Sequence, residues 1–385
     1  MQLLNATKMQ AGYSMGMRPD GRELLVVVVK GTFEMSKGAE EPNLAEEQVP
    51  LVEADTFTGE PGLSAPIYES DYTPVKPRCD VLLLGSAYAP YGMPAERVKV
   101  SLRVGQVSKQ FDVVGNRVWR SDMFGAMATE PEPFTVMPFS YDVAFGGLDN
   151  LNSDPSQHEA HLSNPIGIGF FPKSKGRQID GKPLPKTEEP GKPIQSPTVS
   201  YNPMGFGPIG RAWQPRPKYA GTYDQNWIDN IFPFLPADFD DRYYQSAPLD
   251  QQMDYIRGGE EVTLINLTPQ GQTTFRLPSV EVPVTFFLRN YEEKEVNGAG
   301  DTLIIEPDLQ RFTVLWRASL VLRKNMFEVA QVVAGRMPRG WYRARNLGKT
   351  YYPSLGELVN IRRAERQDAG KTESEPDEVE EETEL

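Results

Sequence analysis

The sequence holds a single cysteine, Cys79, in 385 residues. No disulfide can form within it, which suits a reducing compartment. It holds only two histidines, His158 and His161, so a Ser/His or Cys/His dyad has to draw on one short stretch. Long apolar runs are missing. The strongest, Leu24–Val29, is six residues, a strand's length and far short of a membrane span. The opening MQLLNATKMQAGYSMG lacks a basic stretch leading into an apolar run of signal-peptide length. These absences predict a soluble, cytoplasmic chain. A basic excess is missing too: 40 Lys and Arg face 53 Asp and Glu. Residues 367–385 carry nine acids and one lysine, so most of the net −13 belongs to the tail and about −5 to the rest. Phosphate neutralisation needs a basic patch, so no nucleic-acid partner is expected. No internal repeat of fixed period is present.

What is present is β-type patterning at both ends. LLVVVVKGTF is a β-branched run ending at Lys30-Gly31, and VPLVEADTFTGE and CDVLLLGSAYAP suggest further strands. Val98, Val100, Leu102 and Val104 alternate with Arg97, Lys99, Ser101 and Arg103, the mark of a half-buried strand. Gly105-Gln106 turns it back through Lys109–Val114, and Gly115-Asn116 turns again into Arg117-Val118-Trp119, a predicted meander. Strands resume at VTLINL (262–267) and TFRLPSVEVPVTFFL, and TLIIEPDLQRFTVLWRASL reads as a hairpin turning at Glu306–Gln310. MFEVAQVVAG (326–335) fits strand or helix. Ser354-Leu-Gly-Glu357 fits a capping box opening a short C-terminal helix. The acidic tail lacks the apolar residues needed to fold. It reads as a solubilising segment or as a hook for a basic partner.

The segment 201–252 holds eleven aromatics and seven prolines. Proline at that density excludes a long helix or a central strand, and aromatics at that density exclude a disordered linker. An ordered, irregular surface is expected, and such surfaces in compact proteins usually bind something. Trp213, Arg216, Tyr219, Tyr223 and Trp227, followed by Phe232 and Phe234, are residue types enriched at binding hot spots. They are the candidate partner contacts; the plainer reading is that they pack over the β regions as a small core of the long loops. Ala at Trp213 and Trp227 is then expected to weaken partner capture and spare the fold.

Catalytic and cofactor signals are thin. GFGPIG (205–210) matches G-x-G-x-x-G, but SPTVSYNPM precedes it and RAWQPRP follows, in place of the strand and helix a dinucleotide site needs. His158 and His161 stand three apart, where a zincin helix needs four. Asp149–Glu159 lacks the central glycine of a calcium loop. Cys79 reads as a small core residue. No G-x-S-x-G elbow is present. Neither cofactor nor metal is expected. Paired carboxylates near Phe145–Asp149 or Asp238–Asp241 leave one enzyme reading open, a carbohydrate- or cell-wall-active hydrolase.

A set of long motifs carries a resemblance: MQLLNAT, LVVVVKGTF, QVPLVEADTFTGEPGLSAPIYESDYTPVKPRCDVLLLGSAYAP, FDVVGNRVW, PFSYDVAFGG, NPIGIGF, GFGPIGRAWQPR, YAGTYDQNW, FPFLPADFDDRYYQSAPLDQQ and RGGE. They resemble a family long catalogued as a domain of unknown function, typically encoded in type VI secretion clusters of Gram-negative bacteria beside PAAR-repeat proteins, pentapeptide-repeat proteins and toxin effectors. The resemblance runs from Met1 to about Trp316 and includes the loop residues Phe145, Gly146, Gly147, Asn164, Pro165, Gly205 and Gly207. It implies an adaptor or chaperone that holds a toxin effector and helps load it onto the spike, with a PAAR or spike-tip protein as a further partner. It supplies no catalytic residues. A structural component of the secretion apparatus is a third reading.

The expected fold is mainly β, with antiparallel sandwich or barrel-like units, a long irregular Pro/Gly/aromatic insertion and a short C-terminal helix. The expected division is an N-terminal β unit (1–120), the insertion packed on the β units (121–260), a C-terminal β unit with its helix (261–366) and the tail (367–385). The shared aromatic tract leaves room for the two β units to form one body.

Overall fold

A computed structural model describes residues 1–356 except 37, 39, 124 and 175, together with 359 and 363. The capping-box helix predicted from Ser354 lies almost wholly outside the described residues, and the acidic tail lies entirely outside them. The chain divides after Gly335. In the second unit the described helix is Arg339–Asn346.

The first unit is mainly β. Its principal strands are β1 (Gln2–Asn5), β2 (Gln10–Met17), β3 (Glu23–Glu34), β4 (Cys79–Leu83), β5 (Arg97–Val104), β6 (Val107–Val114), β7 (Thr187–Glu188), β8 (Gln252–Met253), β9 (Glu261–Ile265), β10 (Gln272–Arg276), β11 (Pro283–Leu288), β12 (Glu293–Asn297), β13 (Ala299–Glu306), β14 (Arg311–Val321) and β15 (Val329–Ala334). They form a six-stranded sheet in the order β8-β4-β13-β14-β3-β2, a five-stranded sheet β7-β6-β5-β9-β10 and a four-stranded sheet β1-β15-β11-β12. Pairing is antiparallel except for β1 with β15 and β4 with β13. Among the described residues no sheet closes into a barrel.

Strands of 1–120 and of 261–366 are thus neighbours in the same sheets, where the sequence reading divided them into two units. β3 pairs along its length with β14, Leu24 facing Val321 and Glu34 facing Arg311. Local patterning marks a strand and leaves its partner undetermined. The meander is also altered. β5 and β6 pair as predicted around Gly105-Gln106, but Trp119–Ser121 leaves the sheet and pairs with Ala126–Ala128. The outer neighbour of β6 is β7 instead, and β9 flanks β5 on its other side. β3 runs on through Lys30-Gly31 to Glu34, and 329–334 settles as strand β15.

One core joins the three sheets. Leu25, Val27 and Val29 of β3 meet Val100 and Leu102 of β5, Phe286 of β11 and Val332 of β15. The alternate face of the six-stranded sheet is buried as well. Leu24, Val26 and Val28 pack there with Leu82, Ile304 and Leu315. Burial on both faces explains why Leu24–Val29 is an unbroken apolar run when β5 alternates.

That second face also buries charge. Lys30 donates to Asp71 at 2.9 Å and to the Pro50 carbonyl at 3.0 Å. Lys76 pairs with Asp80 at 2.7 Å, and Asp80 accepts from Gln245 and Ser246. Arg317 pairs with Asp301 and donates to the carbonyls of Asp71 and Thr73. These bonds fasten residues 49–76 across the sheet as an irregular strap. The strand expected at VPLVEADTFTGE is therefore mostly non-repetitive; its backbone is satisfied by side chains, as where Val52 N–H donates to Asp71 and Val49 N–H to Thr32.

Buried phenols shape the alkaline behaviour of this unit. Burial, reinforced by a bonded carboxylate, raises Tyr68 (to Glu306) and Tyr88 (to Asp308), the latter to about 12. Burial also raises Tyr141, and Tyr244 to about 12. Above pH 10 the unfolded chain loses these protons and the folded chain keeps them, so stability falls as pH rises. The stabilisation is expected intact below pH 10 and lost toward pH 12. Urea midpoints across that range, read beside tyrosinate absorbance, check it; a flat midpoint contradicts it.

Candidate functional site

The aromatic tract divides into a buried part and an exposed part. Phe206, carried between Gly205 and Gly207, is fully buried and packs on Phe111 at 4.5 Å. Trp213 is buried with Tyr141, Ala144 and Ile209, its ring edge-on to Tyr141 at 5.7 Å. Arg216 is buried too. It pairs with Glu69, donates to the carbonyls of Ile209 (2.8 Å) and Tyr243 (3.0 Å), and lies over the Tyr243 ring. Trp213 and Arg216 therefore hold the interior, which corrects their assignment as surface contacts. Ala at Trp213 removes a core ring, so the tryptophan double substitution tests stability as well as capture.

The remaining five predicted residues come together on a lobe. Its base is closed where Asp240 N–H donates to the Tyr219 carbonyl (3.0 Å) and where Thr222 donates twice to Asp238. Asp224 caps the helix Gln225–Asn230 by accepting from Trp227 N–H at 2.9 Å. Trp227, half-buried, is the pivot. Its indole N–H donates to the Phe234 carbonyl (3.0 Å), and its ring meets Tyr223 at 4.7 Å and Phe232 at 5.6 Å, both edge-on. Tyr219 is half-buried beneath the Arg242 guanidinium, 4.4 Å above its ring. Around this frame Tyr223 is 52% exposed, Ile228 56%, Phe232 66% and Phe234 45%.

The lobe borders β2, the edge strand of the six-stranded sheet among the described residues. The Phe234 ring lies against Gly21 in the β2–β3 turn, 3.3 Å from where a Cβ would sit. Leu235, next along, lines a groove of about 560 Å³ with Met15, Met17, Tyr244, Met326 and Phe327. Sequence reading missed these residues. The signal was the alternation of Tyr13, Met15 and Met17 with Gly12, Ser14 and Gly16, small residues that let Tyr72 and Pro74 of the strap cover the other face.

The lobe is acidic. Between 221 and 242 it carries Asp224, Asp229, Asp238, Asp240 and Asp241 against Arg242 alone. Thr222 holds Asp238 below the usual carboxylate range and Arg242 does the same for Asp240; burial, then Asp240, pushes Asp241 up.

The family loop is a backbone knot. Asn164 is fully buried and donates to the carbonyls of Tyr141 and Phe145. Gly146 and Gly147 have φ of 148° and 104°. A Cβ on Gly146 would stand 2.1 Å from the Asn164 oxygen. Half-buried Pro165 follows Asn164, and Phe145 sits fully buried among Trp119, Phe170 and Ile194. Gly146→Ala is expected to cost at least about 2 kcal/mol. Gly207→Ala meets only Leu84, at 3.7 Å, and is expected within about 1 kcal/mol of wild type. Urea unfolding of both variants checks the contrast; equal costs contradict it.

The carboxylates of the hydrolase reading hold loops. Asp149 is buried and accepts from Lys173 N–H, Ser174 N–H and the Ser174 hydroxyl, while Asp238 and Asp240 serve the lobe base. His161 packs edge-on between Phe145 and Phe170, and His158 bonds the Asn152 carbonyl. Among the described residues no three His, Cys, Asp or Glu gather as a metal set. Cys79 is fully buried and its thiol pushed up by that burial. No described helix is long and apolar enough to cross a membrane.

Fold and site together define a multi-sheet β protein bearing an exposed aromatic lobe beside a sheet edge. The chain belongs to the family described as an uncharacterized protein conserved in bacteria (DUF2169), which it matches over residues 20–317. The match takes in the lobe and the backbone knot, and β2 precedes it. No curated protein and no solved structure matches the chain.

Proposed function

We propose that this protein is a cytoplasmic adaptor-chaperone that binds a type VI secretion effector and delivers it to the spike. The observation that carries the reading is the lobe. Four large apolar side chains stand about half exposed on a segment that hydrogen bonds and a helix cap hold in place. Contiguous exposed apolar surface marks interaction sites, and ordered aromatics lose little entropy on binding. The groove at the β2 edge extends that surface. The resemblance of the motifs to secretion-cluster proteins supplies the partner class.

In this mechanism the lobe covers an apolar effector segment in the cytoplasm and releases it when a PAAR or spike-tip protein competes for either partner. The test is co-purification, at near-physiological salt, with the toxin and PAAR proteins encoded beside the gene. A complex that raises the soluble yield of the toxin supports the reading. Self-assembly with spike components and no toxin binding favours a structural part of the apparatus. No complex with any neighbour sinks the adaptor reading and makes a glycan-turnover assay the next step.

A further inference from the structure

We infer that the segment the lobe receives is basic as well as apolar: large aliphatic or aromatic side chains flanked by Lys or Arg. This rests on the adaptor reading and narrows its partner. The exposed rings of Tyr223, Phe232 and Phe234 share the short segment 221–242 with five carboxylates. Asp224, Asp229, Asp238 and Asp241 are exposed and Asp240 is partly so. Their hydrogen bonds are to neutral groups except at Asp240, which is paired with Arg242. Those bonds fix Asp224, Asp229 and Asp238 in position without a cation, while Arg18 acts on Asp241. The neighbouring β2–β3 turn brings Arg18 and Arg22, and both lie against Asp20. Residues 221–242 carry a net −4, which the turn and Lys218, lying 5.0 Å over the Tyr219 ring, reduce to about −2 around the rings.

An apolar segment docking there brings its flanks within several ångströms of these acids, inside a Debye length at physiological salt. Acidic flanks are repelled and basic flanks attracted, and desolvation by the apolar contact strengthens both effects. Lys and Arg also gain from aromatic faces, as Arg242 over Tyr219 already does at 4.4 Å. Charge thus selects among segments that the rings alone accept.

The test uses the full chain and three labelled synthetic peptides of one apolar pattern, with Lys, Gln or Glu at the polar positions. Anisotropy is read at low and high salt. The Lys peptide is expected to bind at least ten-fold tighter than the Glu peptide at low salt, with the gap narrowing at high salt. Asp224→Asn, Asp229→Asn and Asp241→Asn together are expected to shrink the preference several-fold; Asn still caps the helix, and an unchanged melting temperature certifies the fold. Equal binding of the Lys and Glu peptides, a preference that survives the triple substitution, or no binding of the Lys peptide overturns the inference. Co-purification of the toxin with the triple variant separates the two claims. Undiminished capture defeats the charge selection and leaves the adaptor reading standing, whereas failure of the wild-type chain to capture any toxin defeats the adaptor reading itself.

Discussion

A chain with serine at both Phe232 and Phe234 is expected to keep its fold and lose its partner. Phe232 is 66% exposed and Phe234 45%, so their removal gives up only part of each ring's area, that of Phe234 against Gly21 included. The lobe keeps its hydrogen bonds, because the Trp227 indole reaches the backbone carbonyl of residue 234 and the Thr222–Asp238 clasp lies outside the change. Stability is expected to fall by no more than about 2 kcal/mol, from the ring pair between Phe232 and Trp227 and the contact of Phe234 with Gly21. Binding is another matter. Hot-spot aromatics are each worth more than about 1 kcal/mol, so together they cost at least roughly thirty-fold in Kd. A melting curve beside a binding titration separates the two effects. Unchanged affinity in a folded variant removes the lobe from the interface.

Arg317→Ala is expected to give the opposite pattern, a large loss of stability from a buried residue outside the lobe. Its guanidinium is buried against Asp301 at 2.7 Å and also donates to the carbonyls of Asp71 and Thr73 at 2.6 and 2.7 Å. Removing it leaves a carboxylate in the interior without its cation and two strap carbonyls without their donor. Breaking one partner from such a pair costs about 3–5 kcal/mol. Pairing Arg317→Met with Asp301→Asn removes the orphaned charge and is expected to recover part of that loss. The strap also links stability to the site, because Tyr72 and Pro74 lie on the glycines of β2. Urea unfolding followed by two probes measures the cost, and a loss below about 1 kcal/mol contradicts this account of the strap.

Much of the fold was legible in the sequence for a physical reason. Val98 to Val104 alternates because one face of β5 is solvated, and period two survives wherever a single face is buried. The turn at Glu306–Gln310 was legible from its Pro-Asp pair, and Gln310 takes the left-handed conformation there. Strand partners were not legible. β3 with β14 and β4 with β13 bring together residues more than 200 positions apart, and nothing local encodes that choice. The 49–76 strap was misread because its apolar residues face the sheet without regular pairing, and its bonds come from buried Lys30, Asp71 and Arg317.

The site was legible by composition and not by residue. Aromatic and proline density located an ordered, irregular segment correctly. It could not separate Trp213, which packs on Tyr141, from Phe232, which faces solvent, because the two differ only in tertiary neighbours. Met15, Met17 and Phe327 reach the same surface from other parts of the chain, and only the folded β2 edge brings them to Leu235.

The central claim is that the lobe captures a secretion effector. Its most direct test is a quantitative pull-down of the toxin encoded beside the gene, comparing the wild-type chain with the Phe232→Ser, Phe234→Ser variant at equal folded concentration. The account predicts a stoichiometric toxin complex with the wild type and a loss of at least roughly thirty-fold in affinity with the variant. Equal capture by both chains, or capture by neither, contradicts it.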